Sequence, residues 1–413
     1  MLNNYYVPFT KEMKKTHTIL VPNMLPMHFK LIVRILRNYG YNAELLETSG
    51  TKIKETGLKY VHNDTCYPAI LIIGQFISAI QSGKYDPHKV ALVLFQTGGG
   101  CRASNYISLL RKALAKAGYE YVPVISFSLA GIEKHPGWKL TLPMLYRMVY
   151  AVLYGDILMN LKNQCRPYEL EKGASEKLAK DWTVKLTAEM KTKAPNRKIS
   201  LKYYQEIIDD FAKIKLDKSK EKVKVGIVGE IYVKYSPLGN NDLEDYLVSE
   251  GAQPVVPGLL DFLLYCLFNN LEDTKLYGRG RWKYPFIRLA FKFFQRCQMD
   301  QINVLKKDGR FSPGGAIKTT ISYASGYIDL GTKMGEGWLL TTEMLELYHQ
   351  GIKNIICTQP FGCLPNHICG KGMMKPIKEN NPDINIVAID YDASSPAVNQ
   401  QNRIKLMLAN AQK

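Results

Sequence analysis

Three cysteines stand where a thiol can do chemistry. Cys66 lies in His62-Asn63-Asp64-Thr65-Cys66-Tyr67-Pro68, Cys101 in Gly98-Gly99-Gly100-Cys101-Arg102, and Cys363 in Gln359-Pro360-Phe361-Gly362-Cys363-Leu364-Pro365-Asn366-His367. Each sits beside Gly or Pro, at what reads as the end of a strand. In open α/β sheets, ligands bind outside the carboxyl ends of the strands, and glycine-rich turns and helix N-termini offer N–H groups to anions. A thiolate there is expected to have a lowered pKa and to serve as metal ligand or nucleophile. A single cysteine reads more simply as a small buried hydrophobe; three in one setting favour a shared ligand. Three thiolates suit tetrahedral zinc, with His62 or His367 as fourth ligand. They also suit an iron–sulfur cluster, in which one iron would stay open to substrate. The eight cysteines include no Cys-x-x-Cys pair, which argues against a zinc ribbon, a thioredoxin-like site and a bacterial ferredoxin run.

The elements that must position these thiols alternate. Residues 18–22, 43–47, 58–62, 90–95 and 121–127 read as strands, and 28–38, 70–80 and 104–117 as helices. From 142 to 220 the pattern is helical, apolar at first and then lysine-rich. A second α/β stretch opens with 223–228 (VKVGIV), adds strands at 254–256, 352–357 and 384–389, and ends in a helix at 398–408. Alternation of this kind implies a parallel sheet covered on both faces. The expected fold is α/β: two Rossmann-like parallel-sheet domains, 1–150 with Cys66 and Cys101 and 223–413 with Cys363, joined by a helical connector at 151–222. A cluster held by all three thiols would pin the domains together.

The chain has 413 residues, 46% hydrophobic and 22% charged, a balance that excludes intrinsic disorder. Its formal net charge of +18 favours an anionic partner. No apolar run reaches the length of a membrane span and the first residues lack a signal-peptide core, so a cytoplasmic protein without a membrane partner is expected. Residues 279–296 carry six basic residues, six aromatics and no acid, which invites a nucleic-acid reading. Phe286, Ala290, Phe293 and Cys297 nevertheless fall on one helical face, opposite Arg288, Lys292 and Arg296. The expectation is a core helix with a basic outer face and no nucleic-acid partner. Glu230 and Glu336, each after Gly near a strand end, are candidate acid/base groups, or carboxylates that satisfy a helix N-terminus. His367 is placed to protonate substrate, to bond a cluster sulfide, or to cap its own loop.

The string from Gln359 to His367, with Asp390-Tyr391-Asp392 and Val398-Asn399-Gln400 ahead of Asn402-Arg403, resembles the 2-hydroxyacyl-CoA dehydratase / benzoyl-CoA reductase family. It is most similar to the cysteine-bearing region of the long, activator-fused members, relatives of double-cubane cluster proteins. Asn63 to Pro68, Gly99 to Arg102 and Gly335-Glu336-Gly337-Trp338 resemble the same region, and the likeness runs from about residue 18 to about 408. The resemblance implies that Cys66, Cys101 and Cys363 hold an iron–sulfur cluster, [4Fe-4S] or double-cubane. It implies low-potential reduction or dehydration (oxidoreductase or lyase chemistry) in an anaerobic setting, on an acyl-CoA thioester or a small unsaturated molecule, and a homodimer. An ATP-dependent activator would supply the electrons; since the chain lacks a G-x-x-x-x-G-K-[ST] loop, that activator should be a separate polypeptide. A double cubane needs further thiols. Cys357, read as the last residue of its strand, and Cys369 in the following loop are the nearest, though each reads first as a packed thiol. Cys165, Cys266 and Cys297 lie in helical, apolar surroundings and read as structural. The rival expectation is a non-catalytic electron-transfer or cluster-carrier protein.

Overall fold

The most apolar short segments become the inner strands of two sheets. The computed structural model describes residues 5–96, 100–127 and 133–411. In the first half, β1 (Thr18–Pro22), β2 (Ala43–Leu46), β3 (Val90–Phe95) and β4 (Val124–Phe127) form an all-parallel sheet in the order β2-β1-β3-β4. In the second, β5 (Lys224–Gly229), β6 (Gln253–Val255), β7 (Asn354–Pro360) and β8 (Asn385–Tyr391) repeat that plan as β6-β5-β7-β8. Leu20 pairs with Leu92 across β1 and β3, and Ile227 with Ile356 across β5 and β7. Helices cover both faces of each sheet, which is why Val90 to Leu94 are buried without alternation. The protein is thus α/β with two Rossmann-like sheets, as the alternation of strand and helix predicts. Strand order reverses between β1 and β3 and between β5 and β7, and such reversals open the crevices where ligands bind. Cys101 follows β3, Glu230 follows β5 and Cys363 follows β7.

One core joins the halves. It runs from Ile19 and Val93 of the first sheet, through Leu153 and Leu158, to Tyr235, Leu264 and Trp338 of the second half. Its spine is the helix Leu142–Cys165, which packs on the helix Pro26–Asn38 and on β6. By length and composition, Leu142–Tyr168 is apolar enough to cross a membrane, although Arg147 and Asp156 interrupt its apolar run. In the fold 67% of its most apolar stretch is buried, and it serves as a core helix. Asp156 on this helix bonds the buried His28 at 2.7 Å and accepts the N–H groups of Leu259 and Leu260 at 2.7 and 3.0 Å. One carboxylate thereby ties the helix Pro26–Asn38 to the start of the helix Leu259–Tyr277. Ser236 Oγ donates to the Asn23 carbonyl at 3.2 Å, a second bond between the halves.

Three local expectations are corrected. Residues 58–62 are not a strand: the helix Thr51–Tyr60 occupies most of that stretch. It packs tightly on the helix Tyr67–Gln81, because a Cβ at Gly57 would lie 2.2 Å from the Ile70 carbonyl oxygen and one at Gly74 would lie 2.1 Å from that of Ile53. Cys66 therefore leaves a helical hairpin, not a sheet. Cys357 is not the last residue of its strand, since β7 continues to Pro360. On the helix Tyr284–Asp308, Phe291 and Phe294 pack against the core, whereas Phe286 and Phe293 are exposed. The inward face is rotated from the expected one because Gln298, Gln301 and Ile302 are the residues that meet the core.

Candidate functional site

Cys66 is the N-cap of the helix Tyr67–Gln81, with Pro68 in the first turn. Its carbonyl accepts from the N–H groups of Ala69 and Ile70, which leaves the thiol aside from the helix axis and half-buried. Tyr106, at the start of the helix Tyr106–Lys116, places its hydroxyl 3.2 Å from Cys66 Sγ. Cys101 caps the short turn Arg102–Asn105, and its carbonyl accepts from the N–H and hydroxyl of Ser104 at 3.1 and 2.7 Å. Of the glycine turn before it, Gly98 and Gly99 lie outside the described residues; Gly100 lies against the second half, 3.2 Å from Met334 Sδ to the position a Cβ would take. Cys363 follows Gly362, whose positive φ of 73° turns the chain off β7. The Asn366 side-chain amide donates to Cys363 Sγ at 3.4 Å. The thiols of Cys66, Cys101 and Cys363 thus gather at the junction of the two halves, close enough that a charge on Cys101 or Cys363 acts on Cys66.

Two carboxylates face them. Glu230 is the N-cap of the short helix Ile231–Tyr235 and accepts the Val233 N–H at 2.9 Å. Glu336 arrives from a distant loop and accepts the neighbouring Ile231 N–H at 3.0 Å. That loop is bent back by Gly337, at φ 44°, where a Cβ would meet the Thr332 carbonyl oxygen at 2.2 Å. Both acids therefore satisfy the same helix terminus, as one of the two sequence readings expects. They are also like charges in a buried place. Burial first, then the Glu336 carboxylate, pushes Glu230 up to about 8, and burial raises Glu336. Glu230 therefore keeps its proton at neutral pH. Behind them Lys234 and Glu343 form a fully buried ion pair at 3.0 and 3.2 Å.

The Cys66 and Cys363 thiols are raised in pKa, contrary to expectation. Burial, then the Glu230 carboxylate, pushes Cys66 up to about 12, against the partial relief of the Tyr106 hydroxyl. Burial likewise pushes Cys363 up to about 12 although the Asn366 backbone and side-chain amides favour its thiolate. Desolvation is the largest cause at both thiols, and the neighbouring acids add to it. Without a cation the site keeps its protons; a positively charged centre would drive them off.

The remaining candidates separate. His62 is exposed, with its Nδ1 3.3 Å from the Asp64 carboxylate. His367 lies in the turn Asn366–Gly370, its N–H donating to the Cys363 carbonyl at 2.9 Å, and its buried Nδ1 has no partner among the described residues. Cys357 is packed inside the second sheet's core with Val228 and Ile355. Cys369 is buried, its carbonyl held by Thr341 Oγ1 at 2.7 Å. Cys165, Cys266 and Cys297 sit on helices. Tyr106, Lys234 and Glu343 were not legible as site residues, because nothing in their local sequence marks them; Asn366 stood in the quoted string without a role. Among the described residues no group of three or more His, Cys, Asp and Glu is spaced for a single metal ion. Thiols around a polynuclear cluster stand wider apart than the ligands of one zinc, whose Zn–S bonds are ~2.3 Å. Set against models of known protein families the chain matches none, and no curated protein is significantly similar to it.

Proposed function

We propose that Cys66, Cys101 and Cys363 hold an iron–sulfur cluster between the two halves, and that the chain uses it for low-potential reductive chemistry of the 2-hydroxyacyl-CoA dehydratase / benzoyl-CoA reductase type. The observation that carries this reading is the convergence of three half-buried thiols, from loops far apart in sequence, at the junction of the two halves beside Glu230 and Glu336. The donor set fits the group: soft sulfur ligands, with the side-chain amide of Asn366 and the hydroxyl of Tyr106 directed at the sulfurs. Bound there, such a cluster would supply single electrons at low potential and an iron without a protein thiol. Three thiols do not complete a double cubane, and Cys357 and Cys369 are buried in packing contacts, so a single [4Fe-4S] cluster is the form we favour.

The chain's own residues do the rest. The proton that Glu230 keeps at neutral pH is available to a substrate oxygen or carbon. Tyr106, buried with its hydroxyl 3.2 Å from Cys66 Sγ, would limit water beside that thiol. Electrons would come from a separate ATP-hydrolysing activator in the cytoplasm, and the substrate would be an acyl-CoA thioester or a small unsaturated molecule. The test is anaerobic turnover of candidate thioesters and small unsaturated molecules with ATP, reductant and an activator protein. Turnover that needs both ATP and activator, and that falls in Glu230→Gln, supports the reading. Turnover by the chain with ATP alone, or unchanged turnover in Cys363→Ala, overturns it.

A further inference from the structure

The helices Leu259–Tyr277 and Tyr284–Asp308 form a hairpin whose tip is built unlike the rest of the surface. Trp282, Phe286 and Leu289 are 73%, 71% and 69% exposed, and Leu276, Tyr277 and Phe293 are exposed beside them. Phe286, Leu289 and Phe293 are spaced three and four residues apart, so they form one stripe, away from the Phe291 and Phe294 that pack on the core. Gly278 and Gly280, both at positive φ, make the turn between the helices, with the exposed Leu276 and Tyr277 ahead of it and Trp282 after it. Single exposed apolar residues are ordinary; a contiguous group of this size marks an interaction site.

Charge narrows the partner. Arg279, Arg281, Lys283, Arg288, Lys292 and Arg296 border the stripe, and no Asp or Glu occurs between Asp273 and Asp300. Nearby, Lys275 and Arg310 are paired with Glu272 and Asp308, whereas among the described residues none of those six forms an ion pair. A second copy of the chain, itself at +18, complements such a surface poorly. Stacking on bases would use the rings but not Leu276 or Leu289, which protrude with them. Protruding Trp, Phe and Leu flanked by Lys and Arg match the interface of an anionic bilayer, where rings and aliphatics enter the headgroup boundary and cationic heads meet the phosphates. We propose that the hairpin tip docks on an anionic lipid surface. The expectation of no membrane partner rested on the absence of a spanning segment, and a surface contact needs none.

The test is co-sedimentation of the full chain with phosphatidylcholine vesicles, with and without phosphatidylglycerol, at low and high salt, together with tryptophan emission. Trp138, Trp182 and Trp338 lie inside the fold or partly so, and Trp282 is the exposed one, so docking should shift its emission to the blue. Binding is expected only to vesicles with phosphatidylglycerol and should weaken as salt rises. Arg288→Gln with Lys292→Gln should weaken it on the order of thirtyfold, and Phe286→Ser with Leu289→Ser should abolish the blue shift. No binding to the anionic vesicles, or equal binding by both double variants, overturns the proposal. So does a concentration-dependent dimer, or binding to single-stranded DNA, that Phe286→Ser with Leu289→Ser removes while vesicle binding is absent.

Discussion

Replacing Glu230 with Gln should flatten the pH dependence of the protein's stability. In the unfolded chain a Glu loses its proton near pH ~4.3, whereas burial and the Glu336 carboxylate hold Glu230 up to about 8. The folded state binds the extra proton, so this pair's contribution is fully present below about pH 4.3 and is lost as pH rises through about 8. Each bound proton is worth ~1.4 kcal/mol per pH unit, which sets a ceiling of about 5 kcal/mol across the window. Glu230 is partly open to solvent, and screening there lowers the expected figure to about 3 kcal/mol. Gln keeps an acceptor for the Val233 N–H but cannot ionise, and it relieves Glu336 of its like-charged neighbour. The assay is urea unfolding of metal-free, reduced protein between about pH 5 and about pH 8. Glu346, pushed up to about 7 by burial, lends both proteins the same slope, so the difference curve isolates the pair. The variant should gain about 3 kcal/mol on wild type toward the alkaline end and little at the acid end. A flat difference curve would refute a proton held on Glu230 by burial and the Glu336 carboxylate.

Lys234→Met should destabilise by about 3–5 kcal/mol, since Glu343 would be left buried and unpaired; equal urea midpoints would contradict this. Asp156→Ala should cost at least about 3 kcal/mol in the same assay, because it strands His28 and two N–H groups of the helix Leu259–Tyr277. Loading the metal-free chain with iron and sulfide near neutral pH should release about two to three protons per chain, as the thiols ionise; an unbuffered pH titration reads this, and no release would exclude thiolate ligation.

Strand and helix periodicity sufficed for both sheets, because parallel strands buried on two faces leave long apolar runs such as Val90–Phe95. Residues 58–62 were misread because a short apolar stretch does not distinguish strand from helix, and only the packing of Gly57 on Gly74 decides it. The three thiols were legible from their Gly and Pro neighbours. Their protonation was not, because it depends first on their burial in the fold and then on Glu230 and Glu336, which reach them from separate loops. The outward stripe on the helix Tyr284–Asp308 was invisible for a related reason: its sequence carries apolar residues on two faces, and only the position of the core says which is buried.

Iron and sulfide content after anaerobic reconstitution, read with electron paramagnetic resonance of the reduced protein, tests the proposed centre most directly. Wild type and Cys297→Ala should each hold about four irons and give the signal of a reduced cubane, while Cys66→Ala, Cys101→Ala and Cys363→Ala should lose both. A Cys363→Ala protein that keeps its iron, its sulfide and its signal would contradict a cluster held between the two halves.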